Sequence, residues 1–530
     1  MKKLVAVILA LMLALMASSL AETVLPLTEE DVTLTVFVQL ADKAAATLTS
    51  LSENLSAQEY EKRTGVKIEW QHPSNANKIA EAVNILLASG DLPDILYHVC
   101  DSTESMDSLI DKGVILDLTD LIPQYAPNLN KILEENPELV AEITTYEGRI
   151  GVMPSLRLSE TTRYFESFII RQDWLDKLDL DQPTTVEEWY EVLTAFKNED
   201  PNGNGEADEL PFVGNSNEEM GVYRLTSLWG FNGCFFKQYA TSIIDGQVVF
   251  ATDAPEFDNW ITEMNKWYSE GLIDSEYMST DATSWKEKVL TDRAGSFYGK
   301  MNGGLGTLLT SYDYESGDPD FNLTPVPYAI TDDGKSYDFY SQEIFDNGGC
   351  AITTSCKNVE LAMRWVDYMY SEEGQILASF GIEGVTFEYD ENGTPQYAGL
   401  VTEANKAGLG LTNAIAKYTF GGIVPRMVND DPYWVAVMST EQQRLVYPTV
   451  SVSSTERKTP AQLRYSQEDE ARLASLMSDI GTYYKENVNA FITGTRSLDE
   501  LDAFKTEMHE QMNLTEAMEL MQAAYELYTK

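Results

Sequence analysis

Histidine and cysteine are scarce in this chain, and basic residues are outnumbered more than two to one by acidic ones. There are three histidines (His72, His98, His509), four cysteines, and 37 Lys and Arg against 85 Asp and Glu. The histidines are too scattered to suggest a catalytic pair. No HExxH, GxSxG, P-loop or post-strand GxGxxG motif occurs. A glycosidase needs only two carboxylates, so a secreted glycoside hydrolase stays open as an alternative. Cys100, Cys234, Cys350 and Cys356 are too few for a disulfide scaffold and include no CxxC, which argues against a zinc cluster. We expect free, mostly buried thiols, although Cys350 and Cys356 are near enough in sequence to pair. Beyond the N terminus no apolar run is long enough and free enough of charge to span a bilayer. Internal repeats, coiled-coil heptads and Pro/Ser-rich linkers are missing too.

What is present begins with an export signature. Lys2 and Lys3 precede an apolar run over residues 4–16, and Ser19 and Ala21 supply small residues at −3 and −1 of a cleavage point. We expect residues 1–21 to be a signal peptide. The run is too short for a spanning helix. The first cysteine is Cys100, so no lipid-anchor cysteine is expected. The mature chain of about 509 residues is too long for one core. With 43% hydrophobic and 11% aromatic residues it can bury more than one. Its formal charge of about −50 without Lys2 and Lys3 repels nucleic acid and anionic lipid. It disfavours a strongly anionic ligand unless a local basic cleft opposes the global field.

Residues 32–39 (VTLTVFVQ) alternate as a strand should. Residues 56–64 read as a charged helix, with Ser56 as N-cap and Gly65 as its stop. Residues 66–71 (VKIEWQ) form a second strand, 77–89 a helix stopped by Gly90, and 94–99 a buried third strand. Strands alternating with helices indicate a parallel α/β sheet, with ligands expected at the strands' carboxyl ends, near Gln39, Pro73 and Cys100-Asp101. Further helices are expected within 175–197, capped by Thr184 or Thr185, over 254–270 before Gly271, and through most of the last 65 or so residues.

Residues 200–209 (DPNGNGEADE) carry the sharpest local motif. Calcium takes six to eight oxygen ligands and needs a tight turn to gather them. Asp200, Asn202 and Asn204 stand at loop positions 1, 3 and 5, Gly205 at the turn, Glu206 at position 7 with its carbonyl, and Asp208 at position 9. Position 12 is Pro211, so Glu209 must close the cage instead. One structural Ca2+ is expected, against the alternative of a surface turn that binds nothing.

Six phrases in order carry a family resemblance: LASGDLPDI at 87–95, GVILDLTDL at 113–121, RIGVMPS at 149–155, IRQDWLDKL at 170–178 followed by Pro183-Thr184 and Trp189, WYSEGLID at 267–274, and GIEGV at 381–385. Together they resemble the family 1 extracellular solute-binding components of bacterial ABC importers, in the long-chain branch close to binders of alginate or pectin oligosaccharides. Gly151 directly after Ile150 displaces the tyrosine usual in the family's Leu-Pro phrase. The alginate-binding relatives carry a similar calcium loop. The resemblance implies an α/β, two-lobed periplasmic-binding-protein-like fold with hinge crossovers and a helical C-terminal region. Its lobes would span 32–160 plus 296–352 and 165–292 plus 353–530, crossing near 158–165, 293–297 and 352. It implies a monomeric, non-enzymatic binder that closes on an oligosaccharide and delivers it to permease subunits. A non-sugar solute such as a peptide stays open.

Aromatic rings stack on the apolar faces of sugars while a few polar groups fix the hydroxyls. Rings in turns or at crossings are therefore candidates: Trp229, Tyr298, Tyr433 and Trp434. Gln39, Asp101, Arg163 and Glu383 are the polar candidates. Core packing or solvation competes with ligand contact at each.

Overall fold

The computed structural model describes residues 24–529 except 76–77, 217–220, 236–237 and 282. The expected signal peptide lies outside the described residues. Ten strands build the two main sheets. They are β1 (Val32–Phe37), β2 (Val66–Gln71), β3 (Ile95–Tyr97), β4 (Met153–Arg157), β5 (Glu166–Arg171), β6 (Leu210–Phe212), β7 (Ala294–Lys300), β8 (Leu323–Val326), β9 (Phe345–Ile352) and β10 (Val428–Asn429).

The first sheet has the order β10-β4-β9-β3-β1-β2. In β1, Leu34 and Val36 are buried while Thr33 faces water, and β2 alternates Val66 and Ile68 against exposed Lys67 and Glu69. That period-two pattern sets their parallel register, Val32 beside Val66 and Phe37 beside Gln71. Strand β3 joins the other side of β1, and Asp94 just before it accepts hydrogen bonds from the Thr35 N–H and hydroxyl at 2.8 and 2.9 Å. Between β1 and β2 runs the helix Leu55–Thr64. Its cap is Asn54, which accepts from the Ser56 and Ala57 N–H groups, two residues ahead of the expected Ser56. Gly65 stops it at φ 74, where a Cβ would also meet the Thr28 carbonyl oxygen at 2.4 Å.

The second sheet has the order β8-β5-β7-β6. All six residues of β5 are buried, because strands flank it and helices cover the sheet. Strand β7 pairs antiparallel with β5, Glu166 beside Lys300, and parallel with β6, Leu210 beside Ala294. The helix Val186–Asn198 is capped by Thr185, which accepts from the Glu188 N–H at 3.2 Å.

Two compact units result. Of the described residues, one comprises those up to 159 and 344–437, the other 160–343 and 438–529. This corrects the expected lobe boundaries. Residues 296–343 belong with the second unit, because β7 is hydrogen-bonded between β5 and β6. Residues 353–437 belong with the first, because the helix Val359–Asp367 packs Trp365 on Tyr60 (ring centroids 5.1 Å) and β10 pairs with β4. The chain changes unit at 159/160, 343/344 and 437/438. The expected crossings near 293–297 and 352 fall at the start of β7 and the end of β9. The C-terminal helices Gln467–Ile492, Leu501–Glu510 and Leu514–Tyr528 lie in the second unit, where Tyr484 donates to the Gly233 carbonyl at 3.0 Å.

None of the four cysteines forms a disulfide, and burial pushes the Cys356 thiol up to about 12. No helix among the described residues is long and apolar enough to cross a membrane.

Candidate functional site

The loop 200–209 joins the helix Val186–Asn198 to β6. Positive φ at Asp200, Gly203 and Gly205 winds it tightly. The Asp200 carboxylate accepts from the N–H of Asn204 and of Gly205, both at 3.1 Å. Asn202 Oδ1 accepts from the Asn204 N–H at 3.0 Å, and Asn204 Oδ1 from the Glu206 N–H at 2.6 Å. Both asparagine amides donate to Asp208 Oδ1, at 3.3 and 3.0 Å, and Arg293 holds the other Asp208 oxygen at 3.3 Å. Glu206 is exposed.

Glu209 is the exception to this pairing. It is only 1% exposed, and its Oε1 is buried with no hydrogen-bond partner among the described residues. Burial raises its pKa, and the nearby charges of Asp200 and Asp208 add to the shift. A carboxylate oxygen held dry beside two other acids is the arrangement a hard cation relieves. Among the described residues no three His, Cys, Asp or Glu side chains converge as a ready metal cluster. Asn202 and Asn204 would have to turn their oxygens inward to complete the coordination.

The ligand candidates divide between the units. In the second, Tyr298 on β7 is 1% exposed, so it is core rather than surface. Its hydroxyl lies 3.2 Å from that of Tyr328 and 3.4 Å from Glu166. Its ring stands 4.8 Å from the Arg224 guanidinium, which lies 3.7 Å from the Tyr340 ring and 3.5 Å from Glu166. Tyr298 thus helps enclose a buried arginine. Trp229 ends the 3-10 helix Val222–Trp229, 6% exposed, 5.8 Å from the Trp267 ring. It lines a depression of about 490 Å3 with Tyr190, Lys266, Asp333 and Arg457. Arg163 is half-buried, its N–H donating to the Glu160 carbonyl and its guanidinium 3.8 Å from the Glu160 carboxylate.

In the first unit, Gln39 follows β1 at the sheet's carboxyl edge. Asp101 is exposed and pairs with His98 at 3.3 Å. Glu383 is exposed beside a shallow pocket of about 340 Å3 bordered by Arg63, Glu373 and Tyr389. Tyr433 and Trp434 lie on the helix Asp431–Val437, with ring centroids 6.1 Å apart. Tyr433 is buried, its ring 4.2 Å from the Arg426 guanidinium, and Trp434 is half-buried. Arg224 and Arg426 were not among the expected residues. Their signal was available: each is a lone cation in an apolar stretch (VYRLT, IVPRM).

Two mixed α/β units of this kind are the architecture of two-lobed solute-binding proteins. The chain belongs to the bacterial extracellular solute-binding proteins, whose family profile matches residues 45–376. Membership makes it a binding protein rather than an enzyme. It is 28% identical over 502 residues to FusA of Streptococcus pneumoniae serotype 4 (strain ATCC BAA-334 / TIGR4), a fructooligosaccharide ABC transporter substrate-binding protein, covering 90% of this chain and 87% of FusA. It is 25% identical over 343 residues to the polygalacturonan/rhamnogalacturonan-binding protein YtcQ of Bacillus subtilis (strain 168), covering 63% of this chain and 64% of YtcQ. The crystal structure of FusA with kestose superposes with a TM-score of 0.70 at 26% identity, over 94% of this chain and 99% of that one. A FusA EF-hand mutant bound to fructo-nystose matches with a TM-score of 0.69 at 25% identity. The alginate-binding protein AlgQ2 without calcium shares the fold, with a TM-score of 0.70 at 24% identity.

Proposed function

We propose that this chain, exported by residues 1–21, captures an oligosaccharide outside the cytoplasm and passes it to the permease of an ABC importer. The observation that carries this is the match to FusA along 90% of the chain. Tyr433 and Trp434 are the ring pair best placed to stack on sugar, because Trp434 keeps part of its surface exposed. Gln39 is a polar partner at the sheet edge. Tyr298, Trp229, Arg163, Asp101 and Glu383 stand further from this role, being core, salt-bridged or on a separate shallow pocket. The relatives' ligands include a neutral fructooligosaccharide and the acidic polygalacturonan, so similarity alone leaves the ligand's charge open.

The same reading includes one structural Ca2+ in the loop 200–209, held by Asp200, Asn202, Asn204, Asp208, Glu209 and the Glu206 carbonyl. The buried, unpartnered Glu209 oxygen and the EF-hand of FusA support it.

A thermal-shift screen of the purified protein against plant, algal and host glycans tests the function. A ligand of the native state stabilises by mass action, about 2.7 kcal/mol at a hundred times Kd. One glycan class should raise the melting point, with no sugar product appearing over hours. Stabilisation by peptides and no glycan would overturn the substrate class, and product release would overturn the binding role.

A further inference from the structure

We propose that the depression lined by Trp229 in the second unit is a docking pocket for a basic peptide segment of a partner protein, taking one Lys or Arg side chain and a peptide carbonyl beside it. It is separate from the ring pair Tyr433 and Trp434, which belongs to the first unit.

The pocket encloses about 490 Å3, within the range of cavities that hold small ligands. Its walls come from the helices Val186–Asn198 and Phe257–Ser269, the end of Val222–Trp229 and the segment 330–333. Glu187, Glu191, Asn259, Ile330 and Asp332 on its border are exposed, so it opens to solvent. Trp229 is 6% exposed, yet its indole N–H is not sealed as those of Trp189 and Trp260 are. That N–H has no hydrogen-bond partner among the described residues, so a buried side chain presents an unused donor to the pocket.

Six carboxylates line the pocket against two cations, and both cations are already engaged. Arg457 pairs with Glu256 at 3.4 Å and Asp333 at 3.3 Å, and donates to the Gly230 carbonyl at 2.9 Å. Lys266 reaches Glu263 at 3.5 Å and stands 3.7 Å from the Tyr190 ring centroid. Glu187, Glu191 and Asp332 have no ion-pair partner among the described residues. The helix N-terminus stabilises Glu187 in its first turn. That effect fades beyond the turn, so it does not account for Glu191 or Asp332.

A cation is therefore the charge this pocket lacks. Lys266 over Tyr190 shows that its wall already holds an ammonium on a ring face. Ile330 is 50% exposed and anchored by its N–H to the Thr184 carbonyl at 2.8 Å. It offers apolar surface to the methylene stem of a long basic side chain. A free amine or guanidinium has no acceptor for the Trp229 N–H, whereas a peptide carbonyl does. A neutral sugar would supply acceptors but leave the three carboxylates unpaired. A basic peptide answers both needs, with charge-assisted hydrogen bonds to the acids.

Titration calorimetry of the full chain tests this, with the capped peptide acetyl-Ala-Arg-Ala-Lys-Ala-amide and its neutral twin carrying citrulline and acetyl-lysine. At about 0.15 M salt the Debye length is about 8 Å, so the chain's distant charges are screened. We expect the basic peptide to bind at least about tenfold tighter than the twin. Glu187→Gln with Glu191→Gln should erase that difference. Glu388→Gln with Glu391→Gln makes the same change of charge at exposed positions of the first unit and should preserve it. Trp229→Phe keeps a ring, loses the N–H and should weaken both peptides. The exposed glutamate pair tests the pocket even where Trp229→Phe lowers the melting point. Equal binding of the two peptides, or of neither, would overturn the proposal. Equal losses in both glutamate pairs would assign the binding to global charge and overturn it too. A neutral trisaccharide that displaces the peptide would overturn the peptide assignment. Unchanged affinity in Trp229→Phe would overturn the role of the indole N–H.

Discussion

Glu209 shows how much one side chain can decide. A buried carboxylate lacking a partner costs stability, and burial, with the nearby charges of Asp200 and Asp208, makes the metal-free fold hold the Glu209 proton more tightly than an exposed carboxyl would. Calcium needs the ionised form, so affinity should fall as pH is lowered. Elemental analysis of protein prepared without chelator should find about one calcium per chain, and Asp200→Ala should abolish it. Chelator should lower the melting point of the native chain and leave that of Asp200→Ala unmoved. Equal metal content in the two proteins would exclude the loop. Much of this was legible beforehand, because the donor spacing and Gly205 lie within ten consecutive residues. The burial of Glu209 was not, since it depends on β6 and the strands around it.

At the scale of an element, the helix Pro127–Glu135 is capped from another helix. Asp367, at the end of Val359–Asp367 and 1% exposed, accepts from the N–H groups of Asn128 and Leu129 at 3.2 and 2.9 Å and from the Asn128 amide at 2.8 Å. Burial outweighs these bonds and raises its carboxyl from 3.8 to about 6. A carboxyl whose folded pKa is raised binds its proton more tightly in the native state. It therefore adds stability as pH falls from above 6 towards 4 and withdraws it as pH rises. Denaturant unfolding at pH 7, 6 and 5 should show the native chain gaining relative to Asp367→Asn by up to roughly 3 kcal/mol over the full range. Parallel pH profiles would contradict this. Local caps such as Thr185 and stops such as Gly65 were readable in sequence. This cap was not, because its donor and acceptor are 239 residues apart.

For the whole molecule, charge sets the terms. A formal −48 loads the compact state with self-repulsion, which salt screens as the Debye length shrinks from about 30 Å at 0.01 M to about 8 Å at 0.15 M. The melting point should rise over that interval by about 2–4 °C, the equivalent of ~1 kcal/mol. A flat or falling melting point by calorimetry would show that the ion pairs screened by salt outweigh the repulsion relieved.

Sequence by itself determined what short range governs. Alternation in 32–37 and 66–71 set two buried strand faces, Gly65, Gly90 and Gly271 ended helices, and six ordered phrases marked the family. Tertiary structure alone decided what depends on distant partners. Residues 294–300 would read as a strand in either unit, and only pairing with β5 and β6 assigns them. Tyr298 stands at a strand's end in sequence but is enclosed by groups as far away as Glu166 and Tyr340. Asn54 and Ala416 are 362 residues apart, and the hydrogen bond that the Asn54 amide donates to the Ala416 carbonyl at 3.1 Å follows from the fold of the first unit, since a local pattern cannot encode a contact whose two halves lie on opposite ends of a unit's chain.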